Sequence, residues 1–420
     1  MRNESKGFFR QGVTWILMIT ALFSCGGNDT PLNELPDLRA LSAAEQQVVG
    51  SSNTFAFDLF SRISRKDSGQ NIFISPFSVS SALAMTLNGA SGETKTAIAE
   101  TLRLSGLSDR EINSAYRDLV TFLFNLDSKV ILEVANSNWY REEYSIKPAF
   151  RQVLADYYDA EIRAANFADP ATVGLINGWI EDKTQGKIRN MLDQIPADAM
   201  MYLINAIYFK ADWTYRFDEK LTQPAPFYKE DGGTATVDLM YSKGVKLSYH
   251  QDERVQFVDM PYGNGQYRMT IMLPQGGSSL EQFIDGMNPQ DFEEYLNQAD
   301  TMTAEVYLPK FRLEYKTGLR EVLSEMGMGI AFTDQADLSE LFVESLDLYI
   351  SRILHQSFVE VNEKGSEAAA ATVVEISQTS IGGGGGPRVV RIDRPFVFMI
   401  REQHSNTLLF AGKMLDPTAD

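Results

Sequence analysis

The chain predicts a mixed α and β fold, and three observations carry that expectation. Apolar residues recur at helical spacing early in the sequence, two long apolar runs of strand character follow, and short strands bounded by proline or glycine close it. Phe55, Leu59, Phe60 and Ile63 share one helical face, as do Val79, Leu83 and Leu87, with Pro76 near the start of the second helix, where proline is tolerated. The run Ile131 to Tyr140 reads as a strand. Met201 to Phe209 is nearly continuous in apolar residues, which predicts a central strand buried on both faces. Arg268 to Leu273, Ala304 to Leu308 and Phe396 to Ile400 are the later short strands. Periodicity alone goes no further than mixed α and β. There is no internal repeat, and the only low-complexity tract is the pentaglycine Gly382 to Gly386.

Composition bounds the class. The 420 residues are 44% hydrophobic and 22% charged, ordinary for a soluble globular protein, and long enough for one large core with no linker dividing it. At the N-terminus Arg2, Lys6 and Arg10 precede an apolar run from Val13 to Phe23, the pattern of a secretory signal peptide. Leu22-Phe23-Ser24-Cys25 resembles a bacterial lipoprotein box, with cleavage before Cys25 and a lipid on its thiol. Cys25 is the only cysteine, so an internal disulfide is excluded and acylation is the better explanation. These readings divide the chain into a leader (1–24), a polar tether (25–44) and a folded domain (45–417), and imply an exported lipoprotein at the outer membrane or cell surface, facing the periplasm or the exterior.

The net charge is −18, and removing the leader, with three basic residues and one acidic, leaves −20. Nucleic acid is therefore not an expected partner. Three histidines, His250, His355 and His404, form no His-Glu-x-x-His pair; there is no Gly-x-Ser-x-Gly turn, and no Gly-Lys-Ser/Thr follows the glycines. An enzyme is not expected, nor a cofactor or metal.

The most informative segment is Glu363-Lys364-Gly365-Ser366-Glu367-Ala368-Ala369-Ala370-Ala371-Thr372. Alanines favour a helix, yet the segment opens on glycine and runs into β-branched Thr372-Val373-Val374 and Ile376, a conflict suited to a segment with two conformations. Along a strand, Ser366, Ala368, Ala370, Thr372, Val374 and Ile376 would share one uncharged face, while Glu367 and Glu375 share the other. Small residues at the leading end suit entry between two existing strands, and Gly365 is expected to supply backbone freedom for the turn.

This segment, preceded by Phe358-Val359-Glu360-Val361-Asn362, closely resembles the hinge of the reactive-centre loop in inhibitory serpins, a family of serine-protease inhibitors. Four further blocks resemble serpin signatures in serpin order: Asn71 to Ser80; Asn177, Trp179, Ile180, Thr184 and Gly186-Lys187-Ile188; Asn205 to Lys210 with Trp213; and Arg394 to Phe398 with Leu409 to Lys413.

The resemblance implies an α+β architecture of three β-sheets with roughly nine helices, and an exposed loop at about residues 363–388. It implies a suicide substrate: a serine protease, with cysteine proteases as a further class, cleaves the loop, which inserts into the main sheet and traps the acyl-enzyme. The alternative is a non-inhibitory member acting as a cleavable decoy or binding module. By family spacing the reactive bond is Thr379-Ser380, suited to elastase-like or subtilisin-like enzymes. Neighbours from Ile376 to Gln378 and Ser380 are alternatives, as are Arg388 and Arg391. Ser75, Ser78, Asn205 and His355 resemble the shutter that controls sheet opening, and Trp213 the breach where insertion begins. Some serpins bind polyanions along a basic helix, but Ser108 to Phe124 interleaves Arg110 and Arg117 with Asp109, Glu111 and Asp118. No heparin-like activator is expected, and a monomer is.

Overall fold

The computed structural model describes residues 38–197, 199–344, 348–366 and 388–419. The leader, most of the tether including Cys25, hinge residues Glu367, Ala368, Ala369, Ala370, Ala371 and Thr372, and the candidate bond Thr379-Ser380 lie outside the described residues.

Helices dominate the first part. In α1 (Ala43–Lys66), Ser42 and Glu45 close a capping box, and Phe55, Leu59, Phe60 and Ile63 are all buried. Strand β1 (Ile72–Ile74) leads into α2 (Pro76–Leu87), capped by Ser75 with Pro76 in its first turn and buried along its whole length. Next come α3 (Gly92–Thr101) and α4 (Asp109–Phe124), where Glu111, one of the acids interleaved with the arginines, forms the capping box with Ser108. The middle of the chain holds β2 (Ile131–Arg141), α5 (Pro148–Tyr157), β3 (Glu161–Ala165), α6 (Ala171–Lys183), β4 (Met201–Asp212), β5 (Gln223–Tyr228), β6 (Thr234–Gln251), β7 (Val255–Tyr262) and β8 (Tyr267–Pro274). The remainder is α7 (Leu280–Gly286), α8 (Pro289–Gln298), β9 (Asp300–Pro309), β10 (Phe311–Gly318), α9 (Arg320–Leu323), β11 (Arg352–Val361), β12 (Gly365–Ser366), β13 (Arg388–Arg391), β14 (Phe396–Glu402) and β15 (Leu408–Met414).

Among the described residues the strands form two hydrogen-bonded sheets. One has six strands in the order β10-β11-β12-β4-β2-β3; the other has nine, β1-β15-β14-β8-β7-β6-β9-β13, with β5 on β6. The expected third sheet is fused to the second through the 18-residue β6. Its first six residues pair with β5, its last four with β7, and a bulge between Lys243 and Val245 bends it in between.

The six-stranded sheet is covered on both faces. Leu203, Ile207 and Phe209 of β4 join the main core with α1 and α2. Tyr202, Ile204, Ala206 and Tyr208 join a second core with Ile176, Trp179 and Ile180 of α6. This is why the Met201 to Phe209 run is apolar on both sides. Each large apolar side chain so buried contributes about 1.5–3 kcal/mol.

Candidate functional site

Strands β4 and β11 behave differently along their length. Over seven residues they pair directly and in parallel, from Arg352 opposite Tyr202 to Phe358 opposite Tyr208. Beyond that point they splay, and the short β12 fills the gap, antiparallel to both: Ser366 lies opposite Val361 on one side and Ala211 on the other, and Gly365 opposite Asp212.

The chain reaches this gap through a turn at Asn362, whose side-chain oxygen accepts from the Lys364 and Gly365 amides at 3.0 and 3.3 Å. Gly365 belongs to this turn, its carbonyl accepting from the Asn362 amide at 2.9 Å, and it has a second use as well. A Cβ there would sit 2.0 Å from the Ala211 carbonyl oxygen and 2.5 Å from Asp212 Cα, so its missing side chain permits close strand contact.

Side chains from distant parts of the chain hold the hinge in place. Ser366, fully buried, shares a 2.8 Å hydrogen bond with the Tyr262 hydroxyl. The Tyr262 ring stacks on Trp213 at 4.2 Å, and burial pushes its phenol pKa upward. The Trp213 backbone amide donates to the Lys364 carbonyl at 2.7 Å and its indole N–H to the Asn362 carbonyl at 3.0 Å. Glu363, 6% exposed, accepts from Thr222 at 2.7 Å and pairs with Lys310 at 3.1 Å. Burial alone would raise its pKa, but the bonds from Thr222 and Lys310 hold it below the usual carboxylate range.

Below the splay point lies a buried polar cluster. The Ser75 amide donates to His355 Nε2 at 3.0 Å, leaving Nδ1–H to donate to Asn205 Oδ1 at 2.8 Å. The Asn205 amide in turn donates to the Ser78 carbonyl at 3.2 Å, to the Ser78 hydroxyl and to Asn136 Oδ1 at 2.7 Å. Ser75 Oγ donates to the Leu409 carbonyl at 2.7 Å, tying α2 to β15. Burial pushes His355 down to about 3, so the ring is neutral and its tautomer is set by these partners. His355 on β11 faces Asn205 on β4, so their bond crosses the line along which the sheet would open.

The structure thus brings Ser75, Ser78, Asn205 and His355 together, and separately Trp213, Glu363, Gly365 and Ser366. Arg388 begins strand β13, pairs with Ala304, stacks 4.3 Å over Tyr249 and donates to Gln251 at 3.0 Å. Tyr262, Thr222, Lys310 and Asn136 complete these sites and were not singled out from the sequence, and Asn362 was quoted there only as the end of the run before the hinge. Only contacts across the fold mark them, as Tyr262 and Ser366 are 104 residues apart. Among the described residues no group of three His, Cys, Asp or Glu side chains forms a metal site.

Comparison with known proteins agrees with this geometry. Residues 50–417 match the family model described as serpin (serine protease inhibitor). An uncharacterized serpin-like protein from Methanosarcina acetivorans is 32% identical over 398 residues, covering 93% of this chain and 92% of its own. Leukocyte elastase inhibitor from Bos taurus is 32% identical over 386 residues, covering 89% of this chain and 100% of its own. The crystal structure of a thermophilic serpin, tengpin, in the native state superposes with a TM-score of 0.82 at 32% identity, covering 91% of this chain and 96% of that one. The chain belongs to the serpin family.

Proposed function

We propose that this serpin inhibits serine proteases as a suicide substrate, using its hinge as the leading end of a strand completed after cleavage. The observation that carries this reading is the pairing of Gly365 and Ser366 with β4 and β11. Continuing that register sets Ala368 opposite Phe209 and Val359, Ala370 opposite Ile207 and Ser357, and Thr372 opposite Asn205 and His355. The uncharged face of the hinge then points into the main core, and Ile376 reaches Met201, the first residue of β4. Thr379 would pass beyond the end of that strand. From Gly365 to Thr379 the inserted arm would run roughly 46 Å, carrying an attached enzyme to the opposite pole. About a dozen new hydrogen bonds would contribute on the order of 10 kcal/mol.

The proposed chemistry is the protease's own. Its serine oxygen attacks the carbonyl carbon of Thr379, the Thr379-Ser380 bond breaks, and the Ser380 amine leaves with the transferred proton, giving an acyl-enzyme. Insertion then displaces the protease's catalytic groups, and a shift of about 1 Å already costs roughly a hundredfold in rate. Threonine suits a small primary pocket, in keeping with the name of the bovine relative. The Arg388 alternative is disfavoured by its pairing in β13 and its stacking on Tyr249. Anchoring through a lipid on Cys25 at the outer membrane, supported by the lipobox-like sequence alone, would hold the inhibitor at the cell envelope.

Incubation of the full chain with pancreatic elastase, subtilisin and trypsin tests the reading, with a denaturing gel and mass spectrometry of the released C-terminal peptide. A covalent adduct and a peptide beginning at Ser380 are expected. Clean cleavage by every enzyme without an adduct would support the decoy reading instead.

A further inference from the structure

Two cations lie on the α6 face of the six-stranded sheet, one toward each end of the β4–β11 pair. Lys210 on β4 shares that face with Tyr202, Ile204, Ala206 and Tyr208, and Arg352, the first residue of β11, shares it with Leu354 and Phe358. Lys210 is half-buried and Arg352 is exposed. Neither makes an ion pair with another described residue, although the chain has 56 acidic residues against 38 basic ones.

The pairing of Gly365 and Ser366 gives these cations a use. Carried on past Ser366, that register sets Glu367 between Lys210 of β4 and Glu360 of β11, and Glu375 between Tyr202 of β4 and Arg352 of β11. Residues directly opposite in an antiparallel pair have Cβ atoms about 4.5–5.5 Å apart, within reach of lysine and arginine side chains. Glu360 repels Glu367, but Arg312 on β10 lies opposite Glu360 and offsets it. We propose that Lys210 and Arg352 receive the two hinge carboxylates, Glu367 and Glu375, and fix the register of the inserting strand. The inference rests on the inhibitory reading above and assigns the strand's charged row, where that reading concerns its uncharged one. Glu367 is next in line after Ser366, and Glu375 arrives eight residues later, so Lys210 acts at the start of insertion and Arg352 at its end.

Neighbouring registers lack these partners. A slip by one residue would turn both glutamates toward the main core. A strand two residues short would set Glu367 beside Asp212, and Glu375 between Ile204 and Leu354. A strand two residues too deep would carry Glu375 past Met201, the first residue of β4, and away from Arg352. Each shift parts Glu375 from its cation, and the short one also sets it among apolar side chains.

The test is calorimetry of the full chain before and after its loop is nicked by pancreatic elastase or subtilisin, with the nicked form freed of adduct and its cut located beyond Glu375 by mass spectrometry. Wild type is compared with Arg352→Glu, with Glu375→Arg and with the charge swap that carries both; Arg352 is exposed, so its reversal does not endanger folding. Reversing one charge of a cross-strand pair in a domain of this size is expected to lower the melting temperature of the nicked form by about 2 °C, to leave the intact form unchanged, and to be undone by the swap. For Lys210→Glu and Glu367→Lys, the swap is likewise expected to restore the nicked form. A nicked Arg352→Glu chain that melts with nicked wild type, an equal loss in its intact and nicked forms, or a swap that does not restore the nicked form would overturn the assignment and leave insertion standing. A nicked wild type that melts no higher than the intact chain would remove insertion itself, and this inference with it.

Discussion

The two ends of the β4–β11 pair face opposite demands. At the Trp213 end the strands have parted around Gly365 and Ser366, and the gap is lined by aromatic rings and a glycine-sized slot. At the His355 end they touch, and a buried hydrogen bond joins them. The sheet is open where small side chains can enter and closed where polar groups satisfy one another. On the proposed insertion, Thr372 would come between His355 and Asn205 and their bond would have to break, so the barrier to insertion and the stability of the closed sheet would share one set of atoms.

The sharpest way to break this comparison is to block the strand at the closed end. Ala370→Arg would carry a charge into the core-facing row opposite Ile207 and Ser357, so cleavage should continue while adducts fall at least tenfold on a denaturing gel. Next in size is His355→Ala, which strands the Ser75 amide and Asn205. Each unsatisfied group costs about 1–3 kcal/mol, so a lower unfolding midpoint and faster spontaneous insertion or polymerisation are expected. Unchanged heat stability and latency would remove His355 from the closing role.

The same histidine gives a pH dependence of defined sign. Its pKa falls from 6.5 to about 3 on folding, so above pH 6.5 both folded and unfolded forms are neutral and nothing is gained or lost. As pH drops from 6.5 toward 3, the unfolded chain takes up a proton that the closed site refuses, and stability falls by up to about 1.4 kcal/mol per pH unit. Unfolding midpoints of wild type and His355→Gln between pH 7 and 4 should converge as pH falls. Parallel curves would contradict the assignment.

At the open end, effects should be smaller. Gly365→Ala places a methyl group against Ala211 and Asp212 backbone, so the hinge should leave the gap and Trp213 fluorescence should shift, with global stability changing by only about 1–2 kcal/mol. Lys310→Ala removes a partly exposed partner of Glu363, worth at most about 1 kcal/mol in thermal unfolding.

What was legible in the sequence follows from how far each signal reaches. The faces of α1 and β4 are local patterns, so Phe55, Leu59 and the Met201 to Phe209 run stand where spacing puts them. His355 and Trp213 carry no periodic signal, and only the family resemblance singled them out. Tyr262, Thr222 and Lys310 reach the hinge from separate elements, and no local pattern marks a contact between strands so far apart in the chain. Gly365 was identified for its backbone freedom, and its place in the turn closed by the Asn362 amide fits that, but the close approach to Ala211 and Asp212 that also requires a glycine shows only in the folded chain. Arg388 is exposed, as expected of a basic residue, but its pairing with Ala304 and its stacking on Tyr249 show only in the folded chain.

The central claim is that Gly365 and Ser366 are the first rungs of a strand that the chain completes once cut. Calorimetry of the intact and the protease-nicked chain tests it most directly. A gain of about 10 kcal/mol in a domain of this size corresponds to a melting temperature roughly 10–15 °C higher in the nicked form. A nicked chain that melts at or below the intact one would contradict the account.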